Sequence, residues 1–438
     1  MKRASRPRVS PVPAVSEERR RPSLLLFTVF FTNLLSLACQ VIWLRKIAYL
    51  FGSTATVFST VISIFLLGLA LGALAAGRIA DRSPRPWRLL GWLQVLLGAW
   101  CVLSLPIFET GRNVFLAIFP GDLAPFPTAL AKLFVVLVCM IVPTLAIGAV
   151  FPLAVRIYGR DLGHLGRDLS LVYGLDTLGA AVGALLAGFF LVPQLGLSAS
   201  TWALGIAAAA LGLLILARKG EASQPGRKER QAEAAPETAP ASGPPVRLGL
   251  ILATFFLSGG AALLLETGWN RFFSLLNGTN VYSTSSVLAG FLTGIGLGSL
   301  LMARWVDRIR NPHAAVALLY GVIALCGMLV FRSGDLFTRA WFSIFDWSGS
   351  YYGFQLTLSL LICLIVLLAT LAMGANFPLV ARIATRAAAE RGTSAGRVFF
   401  ANTLGAVLGA FLAEFVLLPA WGFSGLMLVA LAIYALSA

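Results

Sequence analysis

An apolar unit occurs twice in this sequence, at a constant offset of 226 positions. Landmark residues of the first copy recur in the second as identical or similar residues, although the residues between them differ freely. The matched pairs include Gln40 and Glu266, Trp43 and Trp269, Gly68 and Gly294, Asp81 and Asp307, Arg82 and Arg308, Phe151 and Phe377, Thr177 and Thr403, and Pro193 and Pro419. Two copies of a membrane unit place their joint near the middle of the bilayer, where transporters bind solutes.

The composition is that of a membrane protein. The chain is 58% hydrophobic and 12% charged, whereas a soluble globular protein has roughly 25% charged residues. Apolar runs of about 20 residues indicate transmembrane helices, and each half contains six. The runs are 24–44, 55–80, 89–108, 129–157, 169–192 and 200–217, then 248–269, 281–303, 314–331, 356–381, 398–418 and 423–438. We predict an all-α integral membrane protein with 12 transmembrane helices in two tandem six-helix repeats.

Four segments are predicted along the chain. A basic tail (1–23) precedes the first six-helix bundle (24–217), and a polar linker (218–246) separates it from the second (247–438). The linker has no apolar periodicity, which is typical of disordered segments. The last apolar run is shorter than the roughly 20 residues that span a bilayer, so the last helix is expected to be cut short, as in a fragment or after loss of a domain.

Positive charge is concentrated on one side of the predicted helices. The formal net charge of +16 would suit nucleic acid, but basic residues cluster before the first apolar run and after every second one. That placement excludes nucleic acid as a partner and favours contact with a lipid bilayer. By the positive-inside rule, both termini and the linker are expected in the cytoplasm, in a multi-pass protein of a bacterial-type inner (plasma) membrane.

Two long loops are predicted on the outer side, at about 109–128 and 332–355, and both are rich in aromatic residues. The second resembles an interfacial amphipathic segment, which either rests on the membrane surface as a lid or recognises substrate. The five cysteines are scattered through apolar runs without ligand spacing, so no disulfide, metal site or cofactor is expected.

A charged loop follows the second apolar run and recurs after the eighth. It reads Gly-Arg-Ile-Ala-Asp-Arg from Gly77 to Arg82, and the copy ends in Asp307 and Arg308. This loop resembles the Gly-x-x-x-Asp-Arg loop of the major facilitator superfamily, whose Asp and Arg form a cytoplasmic gate latch. The resemblance implies a major-facilitator-like fold and a gating role for Asp81, Arg82, Asp307 and Arg308. The alternative is a charge cluster that only sets topology.

Three segments carry a more specific resemblance. They are Glu266-x-x-Trp269-x-Arg271, the glycine-rich stretch 291–298 and the stretch 399–406. They look like the membrane region of the fused transporter-like/spermidine synthase family, in which such a region precedes a cytoplasmic aminopropyltransferase-like domain. No strand with a glycine-rich nucleotide loop and a downstream acidic residue occurs in this sequence, so we assign it no catalytic domain.

Ionisable groups inside a membrane are costly, and each is a candidate for a site. The acidic candidates are Asp176, Glu266 and Glu414, and the repeat equivalents of the first two are Asn402 and Gln40. In the superfamily arrangement, helices 1, 5, 7 and 11 would bring them to one acidic cavity. Trp43 and Trp269 lie one turn beyond Gln40 and Glu266, and a carboxylate with indole faces suits an organic cation.

Each candidate also has a structural interpretation. Glu266 could pair with Arg271 or Arg45, Asn402 could bond between helices, and Glu414 could extend to the outer surface. Two functions therefore stay open. One is alternating-access transport of a small cationic or amphipathic metabolite such as a polyamine. The other is a non-transporting membrane module that anchors or feeds a cytoplasmic spermidine synthase-like aminopropyltransferase.

Overall fold

The computed structural model describes residues 22–52, 55–118, 125–159, 164–217, 248–277, 281–385 and 391–438. Within these ranges the chain is almost entirely helical and has no β-strand, which confirms the predicted all-α class. The linker 218–246 and nearly all of the basic tail lie outside the described residues, so what the sequence predicts for them stays a prediction.

Thirteen α-helices follow one another along the described residues. Those of the first half are α1 (Pro22–Phe51), α2 (Ala55–Arg82), α3 (Pro86–Ile118), α4 (Pro125–Tyr158), α5 (Leu165–Leu185) and α6 (Gly196–Ala217). Those of the second half are α7 (Leu248–Asn277), α8 (Val281–Met302), α9 (Pro312–Arg332), α10 (Gly334–Trp347), α11 (Tyr351–Ala384), α12 (Arg391–Leu412) and α13 (Leu418–Ser437).

Ten continuous helical segments of the described chain are long and apolar enough to cross a membrane, and two of them have double length. The segment Leu165–Ala217 has 53 residues, which would extend about 80 Å if straight, against a hydrocarbon core of about 30 Å. It turns at Gly196, whose φ of +73° is readily adopted by glycine. The Ser200 hydroxyl donates to the Leu191 carbonyl at 2.9 Å across this turn. Gly422 interrupts the second long segment in the same way, with φ +65°, so the predicted twelve spans are confirmed.

A π-helical segment precedes each of these turns. The segments are Leu186–Leu195 and Ala413–Leu417, at corresponding places in the two repeats. Pro193 lies within the first, and Pro419 follows the second within two residues. Proline has no N–H to continue the regular hydrogen-bond ladder, which accounts for the irregular helix at these points.

The two predicted outer loops are largely helical. The prediction of a loop at 109–128 was wrong over most of its length, because α3 continues to Ile118 and α4 begins at Pro125. This extension of α3 is held by tertiary packing, with Phe115 against the ring of Phe51 at 5.8 Å. The predicted amphipathic segment in the second loop is confirmed as α10, which buries Phe337 and exposes Phe342 and Trp347.

Glycines let neighbouring helices approach closely, at equivalent places in both halves. Gly183 on α5 contacts the backbone of α1, and an added Cβ would overlap the carbonyl oxygen of Leu34. Its repeat equivalent Gly409 on α12 contacts α7, where an added Cβ would overlap the carbonyl oxygen of Gly260. Such small-residue contacts are the usual basis of tight helix packing in membranes.

The buried apolar residues form three clusters. One lies almost wholly in the first half and one in the second, whereas the third contains residues of both, such as Phe151 and Phe377. This third cluster lies at the end of the bundle that we call the basic face, which carries Arg78, Arg82, Arg304, Arg308 and Arg382. The halves are therefore packed together by apolar side chains at the basic face.

Candidate functional site

Asp81, at the end of α2 in the first half, binds the N-terminus of α12 in the second half. One carboxylate oxygen accepts the backbone N–H of Gly392 at 2.9 Å. The other accepts the backbone N–H of Thr393 at 2.8 Å and its hydroxyl at 2.7 Å. A carboxylate in this position satisfies unpaired N–H groups and interacts favourably with the helix dipole.

Asp307 makes the equivalent contact in the opposite direction. Its two oxygens accept the backbone N–H groups of Gly166 and Arg167, both at 3.0 Å, at the N-terminus of α5. Each half thus caps a helix of the other half. Arg82 and Arg308 are exposed and form no hydrogen bond or ion pair with any described residue. In this conformation the two aspartates join the halves, and the gating role of all four residues stays a prediction.

Four aromatic rings meet between the halves at the basic face, and we call them the aromatic quartet. They are Phe151 on α4, Tyr173 on α5, Phe377 on α11 and Phe399 on α12. Tyr173 stacks on Phe377 with ring centroids 4.0 Å apart. Phe151 contacts Phe377 at 5.5 Å and Phe399 at 5.3 Å. Phe151 and Phe377 are a matched pair of the sequence repeat, but no site was predicted from them. Tyr173 and Phe399 are separated by the same offset of 226 positions, which was the available signal.

Asp176 and Asn402, the repeat-equivalent polar residues, lie one turn beyond the quartet on the side away from the basic face. The carboxylate of Asp176 is buried and accepts a hydrogen bond from the Asn33 side chain on α1. The Asn402 amide donates to the Phe255 carbonyl on α7 at 3.3 Å. The predicted interhelical role of Asn402 thus has a geometric basis, and Asp176 is held by a neutral group rather than a cation.

Glu266 lies deeper in the second half, on α7. It is seven residues beyond Gly259, which packs against Asn402, so it lies on the same helix face and about 10 Å further from the basic face. Its side chain is half-buried and forms no hydrogen bond or ion pair with any described residue. The ion pair with Arg271 or Arg45 that we considered is therefore absent, since all three side chains are described.

Asn270 adds a second unpaired acceptor one turn further along α7. Its Oδ1 atom is buried and has no hydrogen-bond partner among the described residues. Residues four apart lie on the same helix face, so Glu266 and Asn270 belong to one face of α7. Asn270 is not among the residues predicted from the sequence. The signal that could have found it is an asparagine four residues after an intramembrane glutamate.

Gln40, the repeat equivalent of Glu266, is buried on α1 and likewise has no hydrogen bond to a described residue. Glu414 lies in the π-helical segment after α12 and is half-buried. Its electrostatic neighbour is Arg271, although the two form no ion pair. Arg271, which we considered as a partner of Glu266, thus interacts electrostatically with Glu414 instead.

The two tryptophans are buried in separate apolar cores. Trp43 is 1% exposed in the core of the first half and contacts Phe108 at 6.1 Å. Trp269 is 2% exposed in the core of the second half and contacts Phe291 at 5.9 Å. Their rings pack within their own halves, and the cation site that they would form with Glu266 stays a prediction. The polar groups of α5, α7 and α12 remain as the candidate site.

Comparison with solved structures shows where such a fold occurs. The human organic anion transporter MFSD10 (TETRAN) has a TM-score of 0.58 and 14% identity, over 96% of this chain and 99% of that protein. FucP, a major facilitator transporter in an outward conformation, has the same TM-score and identity, over 96% and 97%. At this identity the likeness concerns the fold alone. The sequence profile of the Major Facilitator Superfamily matches residues 26–410.

Curated relatives are named for a different activity. A polyamine aminopropyltransferase of Mycobacterium tuberculosis (strain CDC 1551 / Oshkosh) is 28% identical over 177 residues, which are 40% of this chain and 31% of that protein. Polyamine aminopropyltransferase 2 of Aquifex aeolicus (strain VF5) is 30% identical over 174 residues, 40% and 32% of the two chains. The match spans about a third of each relative. The resemblance to the membrane region of fused spermidine synthases is confirmed.

Proposed function

The chain belongs to the Major Facilitator Superfamily, and from this membership we propose that it is a transporter that carries a small organic cation of the polyamine kind by alternating access. Its place is a bacterial-type inner membrane, with the basic face towards the cytoplasm, as the distribution of arginines suggests. The fold supports transport, and the substrate class is inferred from the polar groups between the helices.

The observation that carries the substrate class is the pair of unpaired acceptors on α7. The carboxylate of Glu266 and the Oδ1 of Asn270 have no donor among the described residues. A buried acceptor without a donor is unfavourable by about 1–3 kcal/mol, and more when it is charged. An ammonium group has three donors and one positive charge, so it satisfies both groups at once.

The acidic residues lie at successive depths, which suits a cation with several charges along an extended chain. Asp176 lies one turn beyond the aromatic quartet, and Glu266 lies about 10 Å further along the bundle. Glu414 lies near Arg271, which is five residues beyond Glu266 on α7. A linear polyamine has charges separated by short alkyl segments, and such a ladder of carboxylates would hold it along the transport path.

The contacts at the basic face support a conformation closed on that side. The caps by Asp81 and Asp307, the aromatic quartet and the shared apolar cluster all join the two halves there. Arg391 adds a further bond, donated to the carbonyl of Gly159 in the first half. Alternating access requires that these contacts break when the halves rock to the other state.

Uptake by purified protein tests the proposal. Proteoliposomes loaded with unlabelled spermidine should accumulate external radiolabelled spermidine by counterflow, and excess putrescine or spermine should compete, whereas an organic anion should not. Protein-free liposomes serve as the control. The proposal is wrong if monodisperse protein neither binds nor exchanges any polyamine, or if an organic anion is exchanged and polyamines do not compete.

The second candidate function is a membrane module for an aminopropyltransferase, and the names of the curated relatives favour it. In that case the chain would bind polyamine and an aminopropyltransferase without moving polyamine across the membrane. Binding of spermidine without counterflow, together with aminopropyltransferase activity that co-purifies with the chain, would favour this candidate over transport.

A further inference from the structure

A groove of about 900 Å³ opens at the basic face between the start of α5 and the turn after α8. Its lining includes Arg167, Arg304, Arg308, Trp305, Leu171 and Leu300. Small-molecule sites have volumes of roughly 300–1,000 Å³, so this groove has room for far more than a single inorganic ion. It is separate from the polar groups of the proposed transport path.

The groove is positively charged. Its arginines are exposed, and their guanidinium groups form no hydrogen bond or ion pair with any described residue. The acidic lining residue Asp307 directs both oxygens to the backbone N–H groups of Gly166 and Arg167. The three guanidinium groups are therefore available to an external anion, and their planar forks are suited to phosphate.

The groove lies on the flank of α5 that faces away from the aromatic quartet. Leu171 and Tyr173 are two positions apart, which places their side chains on nearly opposite faces of the helix. Tyr173 is in the quartet between the halves. Leu171 shares a different helix face with Gly174, which packs against Leu300 of α8, so the groove is the open end of the seam between α5 and α8. This position, at a helix end, is the level of lipid headgroups.

An apolar stripe continues from the groove along α8. Leu301 and Leu297 lie four residues apart on α8 and are 51% and 38% exposed, and Trp305, in the turn that follows α8, is 53% exposed. Residues four apart form one face of a helix. Tryptophan is enriched at the level of headgroups, and exposed leucines contact acyl chains. A soluble phosphate would make no use of this stripe.

From this combination we propose that the groove binds an anionic diacyl phospholipid such as phosphatidylglycerol. The arginines contact its phosphate, Trp305 lies beside its glycerol backbone, and one acyl chain follows Leu301 and Leu297. Basic pockets between helices at a membrane surface are suited to acidic headgroups. Unlike the surrounding lipid, this molecule is held at a defined place at the junction of the two halves.

The equivalent place in the other repeat lacks part of this chemistry and supplies a matched control. There Ile79 corresponds to Trp305 and Thr393 to Arg167. Arg78 and Arg397 are exposed at that place. The test variant is Arg167→Gln/Arg304→Gln, which removes two positive charges from the groove. The control variant, Arg78→Gln/Arg397→Gln, removes the same charge from the equivalent place in the other repeat.

Native mass spectrometry of the detergent-purified chain, titrated with phosphatidylglycerol or phosphatidylcholine, tests the proposal. Wild type and the control pair should retain one phosphatidylglycerol in preference to phosphatidylcholine. The Arg167→Gln/Arg304→Gln pair should bind it roughly thirtyfold more weakly, which corresponds to about 1 kcal/mol for each arginine near an anionic headgroup. Trp305→Ile, which copies the other repeat, should weaken retention without removing charge.

Two results would overturn the proposal. One is equal retention of phosphatidylglycerol by the Arg167→Gln/Arg304→Gln and the Arg78→Gln/Arg397→Gln proteins. The other is displacement of the lipid by millimolar inorganic phosphate or by glycerol 3-phosphate, which would assign the groove to a soluble anion. If the Arg167→Gln/Arg304→Gln protein fails to fold, the Trp305→Ile protein provides the test. Retention of phosphatidylglycerol equal to that of wild type would then contradict the proposal.

Discussion

The two halves of this molecule match in the contacts that join them at the basic face, and they differ inside the membrane. At the basic face, Asp81 and Asp307 each cap a helix of the opposite half with backbone N–H bonds of 2.8–3.0 Å. Inside the membrane, the repeat positions hold different chemistry: Gln40 against Glu266, Asp176 against Asn402, and Gly188 against Glu414.

This difference separates two demands on a repeated fold. At the contacts that join the halves, each half must bind the other. Similar residues at equivalent positions of the two repeats therefore form equivalent hydrogen bonds. A binding site between the halves holds a single solute that need not be symmetric. The residues at equivalent positions of the two repeats can therefore differ there. The asymmetric carboxylates are therefore better candidates for recognition than the symmetric landmarks, which pack and join the two halves.

Changes to the glycine contacts test the symmetric part and should have the largest effect. Gly183→Val and Gly409→Val each place a side chain against a carbonyl oxygen of the neighbouring helix. Each should lower the free energy of unfolding by about 3 kcal/mol or more, in the manner of severe overpacking. The measurement is the melting temperature and the yield of monodisperse protein in detergent.

Gly321→Ala is the control for both valine variants. An added Cβ at this position on α9 has no atom within 4 Å, so the change should be neutral or stabilise the helix by up to about 1 kcal/mol. A large loss for Gly183→Val with none for Gly409→Val would break the claim that the two halves are packed equivalently.

The two aspartate caps should have smaller effects that equal one another. Asp81→Ala and Asp307→Ala should each lower the free energy of unfolding by about 0.5–2 kcal/mol, the usual range for loss of an N-cap. Asp346→Ala is the control, since Asp346 is exposed on α10. Chemical denaturation of the three variants checks this. A loss confined to one aspartate would show that the latch is one-sided.

Arg82→Gln should have the smallest effect on stability of this series. The side chain is exposed and has no partner among the described residues, so the free energy of unfolding should change by less than about 0.5 kcal/mol. A loss as large as that of Asp81→Ala, in the same denaturation series, would mean that the arginine shares in the closed latch.

Much of the fold could be predicted from the sequence, because span length and the repeat are local or periodic signals. The turns at Gly196 and Gly422 fit the predicted spans, since an uninterrupted 53-residue helix would far exceed the bilayer. The extension of α3 to Ile118 could not be predicted from the sequence, because it depends on the packing of Phe115 against Phe51. Hydropathy does not report such tertiary contacts.

For the candidate site, the sequence identified the intramembrane carboxylates but not their surroundings. Trp43 and Trp269 were expected beside a cation, yet each packs in the core of its own half, because sequence spacing does not show which helix face is buried. Asn270 and the aromatic quartet were missed for the same reason. Their significance depends on which side chains of other helices lie opposite them.

The central claim is that Glu266 binds a cation and is not a structural partner of an arginine. Spermidine affinity and melting temperature, measured in one Glu266→Gln preparation beside Asp346→Asn, test it most directly. We expect affinity to fall roughly five- to 150-fold, which corresponds to 1–3 kcal/mol for a charge-assisted contact. The melting temperature should be unchanged or higher, since no described residue loses a bond to Glu266. Unchanged affinity with a lowered melting temperature would contradict the account.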